Sequence, residues 1–294
     1  MAHEKIFSTF ASANFLGTPP PLYPMNPIQK NNVSLWGNDN ASATIVFVHG
    51  FGTDQSAWRF VREVFAERYR LVFLDLVGAG EKTLASYSSE HYPSYHPFAQ
   101  DITDVAKSLG LQDAMLIGHS MGAMISLLAA LKHPTAFSAL AMIGASPYYL
   151  NDGEYVGGFS QEELDALLSA METNYYGWVS GFAPLAMGVP EDAGSGNLFA
   201  ESLLQMRPDV ALSILKTVFR SDHRADVMRS SIPTLALHAK DDKIVPEGVG
   251  LYLERAMPNC TRRVISAFGH LPHITAPEET ARHLLAFCDA HRQG

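Results

Sequence analysis

Six short apolar runs punctuate this chain: ATIVFVHG (43–50), RLVFLDL (70–76), AMLIGHS (114–120), ALAMIGA (139–145), TLALHAK (234–240) and RVISAF (263–268). Each is bounded by turn residues and too short for a buried helix, which predicts strands buried on both faces. NNVSLWG (31–37) reads as an outer strand. Between the runs lie SAWRFVREVFAERY, PFAQDITDVAKSLG, MGAMISLLAALK, VGLYLERAM and PEETARHLLAFCDAHR, with apolar residues every third or fourth position. That spacing predicts amphipathic helices. Strand and helix in alternation predict an α/β class chain, a mainly parallel sheet covered by helices on both faces.

One segment breaks the alternation. Residues 149–228 contain no good strand, whereas SQEELDALLSAMETNYYGWVSGFAPLAM, NLFAESLLQM and PDVALSILKTVF read as helices. An all-helical insertion between two sheet strands is a cap. It leaves the sheet where open α/β folds bind ligands, beyond the carboxyl ends of the strands. The expected organisation is an α/β core of 26–148 and 229–294, with a helical cap of 149–228. GTPPPLYP is a polyproline-like break that sets off residues 1–25 as a loosely attached tail.

Composition narrows the function classes. Twenty-one basic against thirty acidic residues give a formal charge of −9. No basic cluster stands ready to neutralise phosphates, so no nucleic acid or anionic membrane is expected as a partner. No apolar run approaches the roughly 20 residues of a membrane span. The N-terminus lacks the continuous apolar core of a signal peptide. Cys260 and Cys288 match no zinc spacing and read as free thiols of a reducing compartment, so the expected location is cytoplasmic. The pattern calls for no metal and no cofactor.

Gly118-His119-Ser120-Met121-Gly122 fits G-x-S-x-G, and its context is a strand before and a helix after. That joint predicts Ser120 on a sharp, strained turn, its hydroxyl above the sheet. A serine hydroxyl needs a base, and the base needs an orienting acid. In the order Ser…Asp…His, the acid follows a late strand and the histidine the last one. LHAKDDKIVP supplies Asp242, four residues before Pro246 in a D-x-x-V-P turn, with Asp241 as a solvated neighbour. FGHLPH supplies His270 at the strand end, with His273 as a packed companion. The loop HGFGTDQSAW, after the first central strand, assigns the backbone N–H groups of Phe51 and Met121 to an oxyanion hole.

Other matches carry no chemistry. Ser221-Asp222-His223 holds all three residue types, but adjacent residues cannot form the relay. Gly78-Ala79-Gly80 lacks the third glycine of a dinucleotide fingerprint.

These residues resemble the α/β-hydrolase fold. More narrowly, they resemble the subfamily of the bacterial energy-stress regulator RsbQ and the plant strigolactone and karrikin receptors. HGFGTDQSAW, GASPYYLNDGEYVGGF, NYYGWVSGFAPLAMG, MRPDVALSILKTVFRSDHR and GHLPHITAPEET are similar to the group's signatures, and the likeness runs from Asn32 to Ala290. GHSMGA is similar to the bacterial elbow, whereas GFAPLAMG and GHLPH lean to the plant side; the bacterial, RsbQ-like branch is favoured. The resemblance implies a V-shaped cap of four helices over an apolar pocket, and Ser120, Asp242 and His270 as a catalytic triad. It implies a substrate pocket lined by Phe51, His119, Phe159, Trp178 and Phe182. It also implies a serine hydrolase acting on a small hydrophobic ester, lactone or butenolide, with a regulatory, stress-response role. On the bacterial branch the implied protein partner is a phosphatase with a PAS-type sensor domain. A monomer is the family's default. The alternatives are a strigolactone- or karrikin-like receptor whose slow hydrolysis drives a change in the cap, and an ordinary metabolic carboxylesterase.

Overall fold

The structure, a computed structural model, describes residues 25–188 and 194–292. The tail expected over 1–25 lies outside the described residues except for Met25. Seven strands form one sheet: β1 (Ser34–Gly37), β2 (Thr44–Val48), β3 (Arg70–Leu74), β4 (Ala114–His119), β5 (Phe137–Ile143), β6 (Thr234–Asp241) and β7 (Cys260–Phe268). Their order is β1-β3-β2-β4-β5-β6-β7. Only the β1–β3 pairing is antiparallel; the others are parallel. This is the α/β-hydrolase architecture that the alternating pattern and the resemblance led one to expect.

The helices are α1 (Pro27–Lys30), α2 (Glu81–Leu84), α3 (Tyr95–Ser108), α4 (Met121–Lys132), α5 (Gln161–Thr173), α6 (Tyr175–Met187), α7 (Gly194–Leu204), α8 (Pro208–Arg220), α9 (Arg224–Arg229), α10 (Glu247–Ala256), α11 (Pro272–Thr275) and α12 (Pro277–His291). Side chains alternate across the sheet, so each central strand feeds two cores. Val46, Val48, Val72, Leu74 and Leu116 face α3 and α4 on one side. Ile45, Phe47, Leu71, Phe73, Met115 and Ile117 face Trp58, Phe65 and α12 on the other.

The expected helix over SAWRFVREVFAERY is instead two 3₁₀ turns, Gln55–Phe60 and Arg62–Phe65, broken at Val61 with φ −118°. The segment is crowded with Trp, Phe and Val, which lose rotamer freedom in an α-helix. Trp58, Val61 and Phe65 reach the core all the same. Phe47 stacks on Phe73 at 4.8 Å and packs against Trp58 at 5.2 Å and Phe65 at 5.7 Å.

Among the described residues five helices, α5 to α9, lie between β5 and β6. The long pattern SQEELDALLSAMETNYYGWVSGFAPLAM divides at Asn174, which ends α5 and whose side chain caps α6 by accepting from the Gly177 N–H at 3.0 Å. Ser160 and Glu163 close a capping box on α5. α5 packs on α6 and α8, and α6 on α7.

Phe47 is fully buried at the centre of an aromatic cluster on the face of the sheet opposite α3 and α4. Phe47→Ala should lower stability by about 3–5 kcal/mol through lost burial and the cavity left behind. Urea unfolding measures it; a loss below about 1 kcal/mol would mean that the cluster does not hold this face of the sheet.

Candidate active site

β4 is buried along its whole length and ends at His119, and α4 begins at Met121. Ser120 makes the joint, with φ 52° and ψ −120°. A non-glycine residue there costs about 1–3 kcal/mol and persists only where its surroundings enforce it. Its N–H donates to the Ile143 carbonyl at 2.8 Å, and its carbonyl accepts from the Ala123 N–H at 3.0 Å. A Cβ on Gly118 would lie 2.5 Å from the Ala123 Cα, and one on Gly122 would collide with the carbonyl oxygens of Val48 and His49. Strand, turn and helix pass this closely only because both positions are glycine.

Asp242 follows β6. Its Oδ1 accepts from the N–H groups of Ile244 at 2.8 Å and Val245 at 3.0 Å, the turn written as D-x-x-V-P. Its Oδ2 accepts from His270 Nδ1 at 2.7 Å. Burial pushes the Asp242 carboxyl up. The His270 charge, the His270 hydrogen bond and the two backbone donors outweigh burial and hold it below the ordinary carboxylate range. A charged Asp242 places the imidazole hydrogen on Nδ1 and leaves Nε2 bare. Ser120 Oγ donates to that Nε2 at 2.8 Å. The structure thus brings Ser120, His270 and Asp242 into one hydrogen-bonded line. It leaves Asp241 outside: its carboxylate is half-exposed and pairs with Lys243 at 2.7 Å.

Met121 opens α4, so its N–H has no intrahelical partner. Among the described residues the Phe51 N–H has none either. The Phe51 loop is braced from below. His49 Nε2 accepts from the Leu76 N–H at 2.9 Å, and the Thr53 hydroxyl donates to the Gly50 carbonyl at 3.0 Å. Two free N–H groups beside a serine can stabilise a tetrahedral oxyanion.

A narrow cavity of about 30 Å³ reaches Ser120 and His270. Phe51 and Phe182 line it. Trp178, Phe159 and His119 do not. Trp178 stacks behind Phe182 at 4.5 Å, Phe159 packs edge-on against Phe219 at 5.5 Å, and His119 lies beneath the His270 ring at 5.0 Å. Leu215, Val218 and Phe219 of α8 and Phe199 of α7 form the wall instead. Sequence reading also missed Tyr149, whose hydroxyl lies 3.5 Å from Ser120 Oγ. Burial pushes that phenol up to about 12, only partly offset by the Ser120 hydrogen bond. Its signal was the aromatic pair PYYL just past the carboxyl end of β5.

Below the relay lies a stack of buried histidines. His273 packs on Trp58 at 4.8 Å and on His119 at 4.5 Å. Burial, reinforced by the His270 charge, lowers His273 from 6.5 to about 3. Burial holds His119 well below the ordinary histidine range, and the nearness of the His273 and His270 rings, which would repel a second cation, adds to it.

The α/β hydrolase fold family matches residues 43–277. The chain belongs to the α/β-hydrolase family. It is 38% identical to the strigolactone esterase D14 of Arabidopsis thaliana, over 88% of this chain and 96% of that protein. It is also 38% identical to the karrikin insensitive 2 receptor IA of Petunia hybrida, over 82% of this chain and 89% of that protein. A solved hydrolase from Oleispira antarctica superposes with a TM-score of 0.85 at 31% identity, covering 90% of this chain and 96% of that one. Placement beside the strigolactone and karrikin proteins agrees with the subfamily that the sequence signatures resembled.

Two measurements follow from this geometry. Asp242→Asn should lower kcat about 10⁴-fold, because the base loses its orienting charge, whereas Asp241→Asn should stay within about twofold. Equal losses would move the acid. A histidine held neutral in the fold takes up its proton only on unfolding, so the unfolded chain binds more protons between about pH 3 and 6.5. Stability should therefore fall as pH drops through that window. His273→Phe should flatten the slope of unfolding free energy against pH by up to about 1.4 kcal/mol per unit. An unchanged slope between pH 6 and about pH 4 would show that His273 takes its proton inside the fold.

Proposed function

We propose that this protein is a serine hydrolase that cleaves small, mostly apolar esters, lactones or butenolides through a covalent acyl intermediate. The observation that carries the reading is the line from Ser120 Oγ to His270 Nε2 (2.8 Å) and from His270 Nδ1 to Asp242 Oδ2 (2.7 Å). Ser120 Oγ attacks the substrate carbonyl carbon and passes its proton to His270 Nε2. Asp242 holds the imidazole in place and stabilises the imidazolium. The N–H groups of Phe51 and Met121 take the charge on the carbonyl oxygen, each worth about 3 kcal/mol. Collapse of the tetrahedral intermediate expels the alkoxide, which takes the proton from His270. Water then enters by the same route in reverse and frees Ser120 and the acid.

The cavity wall supports the substrate class. Phe51, Phe182, Ala186, Leu215, Val218 and Phe219 offer no charge to an ionic ligand. The helical segment 149–228 serves as the cap over the core of 26–148 and 229–294.

The proposal extends to a regulatory role with slow turnover. Its support is the similarity to proteins named as a strigolactone esterase and a karrikin receptor. On the bacterial branch, which the GHSMGA elbow favours, the protein partner is a PAS-domain phosphatase and the role is a stress response, with the chain acting as a monomer. The free thiols of Cys260 and Cys288 support a cytoplasmic setting. Among the described residues no helix is long and apolar enough to cross a membrane.

Steady-state hydrolysis of p-nitrophenyl acetate and of a synthetic butenolide tests both parts. Ser120→Ala should lose at least about a thousandfold in rate on either substrate while keeping its fold; retention above about a thousandth would remove Ser120 as the nucleophile. Slow wild-type turnover of the butenolide, well under one per second, supports the regulatory role. Rapid turnover makes the protein an ordinary metabolic carboxylesterase.

A further inference from the structure

We propose that His119 is a positioning residue for this hydrolase: its Nε2–H holds the His270 carbonyl and so fixes the main chain that aims the His270 imidazole at Ser120. The proposal rests on the serine-hydrolase reading above and assigns His119 a task other than lining the pocket.

The His119 side chain is buried beneath the sheet's carboxyl edge, 2% exposed, and its Nε2 lies 2.8 Å from the carbonyl oxygen of His270. A carbonyl only accepts, so the hydrogen sits on Nε2 and His119 Nδ1 is bare. A neutral imidazole has one N–H, and here it is spent on His270. Burial keeps the ring neutral, which preserves that assignment. The bare Nδ1 faces Gly50, where a Cβ would approach to 2.6 Å; glycine at 50 makes room for the ring. On its other side the His273 ring lies 4.5 Å away, itself backed by Trp58. The His119 ring is packed between the Gly50 backbone and the His273 ring.

His270 needs such a brace. It follows Gly269, whose φ of 80° suits glycine and whose N–H donates to the Asp241 carbonyl at 2.8 Å, so the chain reaches His270 through a turn held on the Asp241 side. Both ring nitrogens of His270 are committed to the relay, which leaves only its peptide groups to fix the backbone. Its N–H donates to the Ala186 carbonyl at the end of α6, at 2.6 Å. Its carbonyl accepts from His119. One bond ties the base to the cap and the other ties it to the residue beside the nucleophile. Losing the second lets the His270 ring drift relative to Ser120, and a displacement of about 1 Å costs on the order of 100-fold in rate.

The test compares His119→Gln, His119→Asn and His119→Phe in the full chain. The readouts are kcat and KM on p-nitrophenyl acetate, the rate of Ser120 labelling by a fluorophosphonate, and the downfield proton resonance of His270 Nδ1–H. Glutamine carries an amide N–H near the position of Nε2 and should keep kcat within about fivefold, with the resonance in place. Phenylalanine keeps the ring's shape without the donor, and asparagine is too short to reach the carbonyl. Both should lose about 100-fold in kcat and in labelling rate at unchanged KM, with the resonance shifted or broadened. Should the phenylalanine variant not fold, glutamine against asparagine decides the matter. Equal rates for those two, or a folded His119→Phe within about threefold of wild type, overturn the proposal. A wild-type chain that the fluorophosphonate does not label overturns the serine-hydrolase reading as well, which separates the two failures.

Discussion

A serine with φ 52° and ψ −120° joins β4 to α4, and the site is arranged around that strained turn. Its cost, about 1–3 kcal/mol, is met by packing that leaves no alternative. Gly118 lets the strand pass against Ala123, Gly122 lets the helix pass against the β2 backbone, and Ile143 of the next strand holds the Ser120 N–H. An added methyl at either glycine pushes the helix off the sheet. The turn aims the hydroxyl away from the strand and places Met121 at the start of α4, where its N–H is free.

The parallel sheet does the rest. All the central strands run the same way, so the loops after β2, β4, β5, β6 and β7 emerge at one edge. Phe51 follows β2, Ser120 follows β4, Tyr149 lies beyond β5, Asp242 follows β6 and His270 follows β7. Ser120 and His270 are 150 residues apart in sequence and 2.8 Å apart in space. The helices between β5 and β6 reach the same edge. α6 supplies Phe182 and Ala186 to the cavity wall, and the Ala186 carbonyl holds the His270 N–H. One helix, α6, therefore both lines the cavity and touches the backbone of His270.

The parts of the site at strand ends were legible in the sequence. Ser120 is flanked by the glycines its turn requires. Asp242 is told from Asp241 by the turn leading to Pro246, and His270 from His273 by its place next to Gly269. Each rests on local backbone chemistry within a few residues. The cavity wall was less legible because it depends on how helices rotate against one another. Trp178 and Phe182 sit one turn apart on α6, yet only Phe182 reaches the cavity and Trp178 stacks behind it. Phe199, Leu215 and Phe219 look like ordinary core positions of amphipathic helices and line the cavity. The 3₁₀ turns over 55–65 were masked by apolar spacing that suits either kind of helix.

The central claim is a covalent acyl-enzyme at Ser120. Rapid mixing with p-nitrophenyl acetate, acid quench and peptide mass mapping test it most directly. An acetyl group should appear on the peptide that carries Ser120 in the first turnover, be lost on further incubation, and be absent from Ser120→Ala. Product release with no acyl group on that peptide at any quench time, or an acyl group on a different residue, would contradict it.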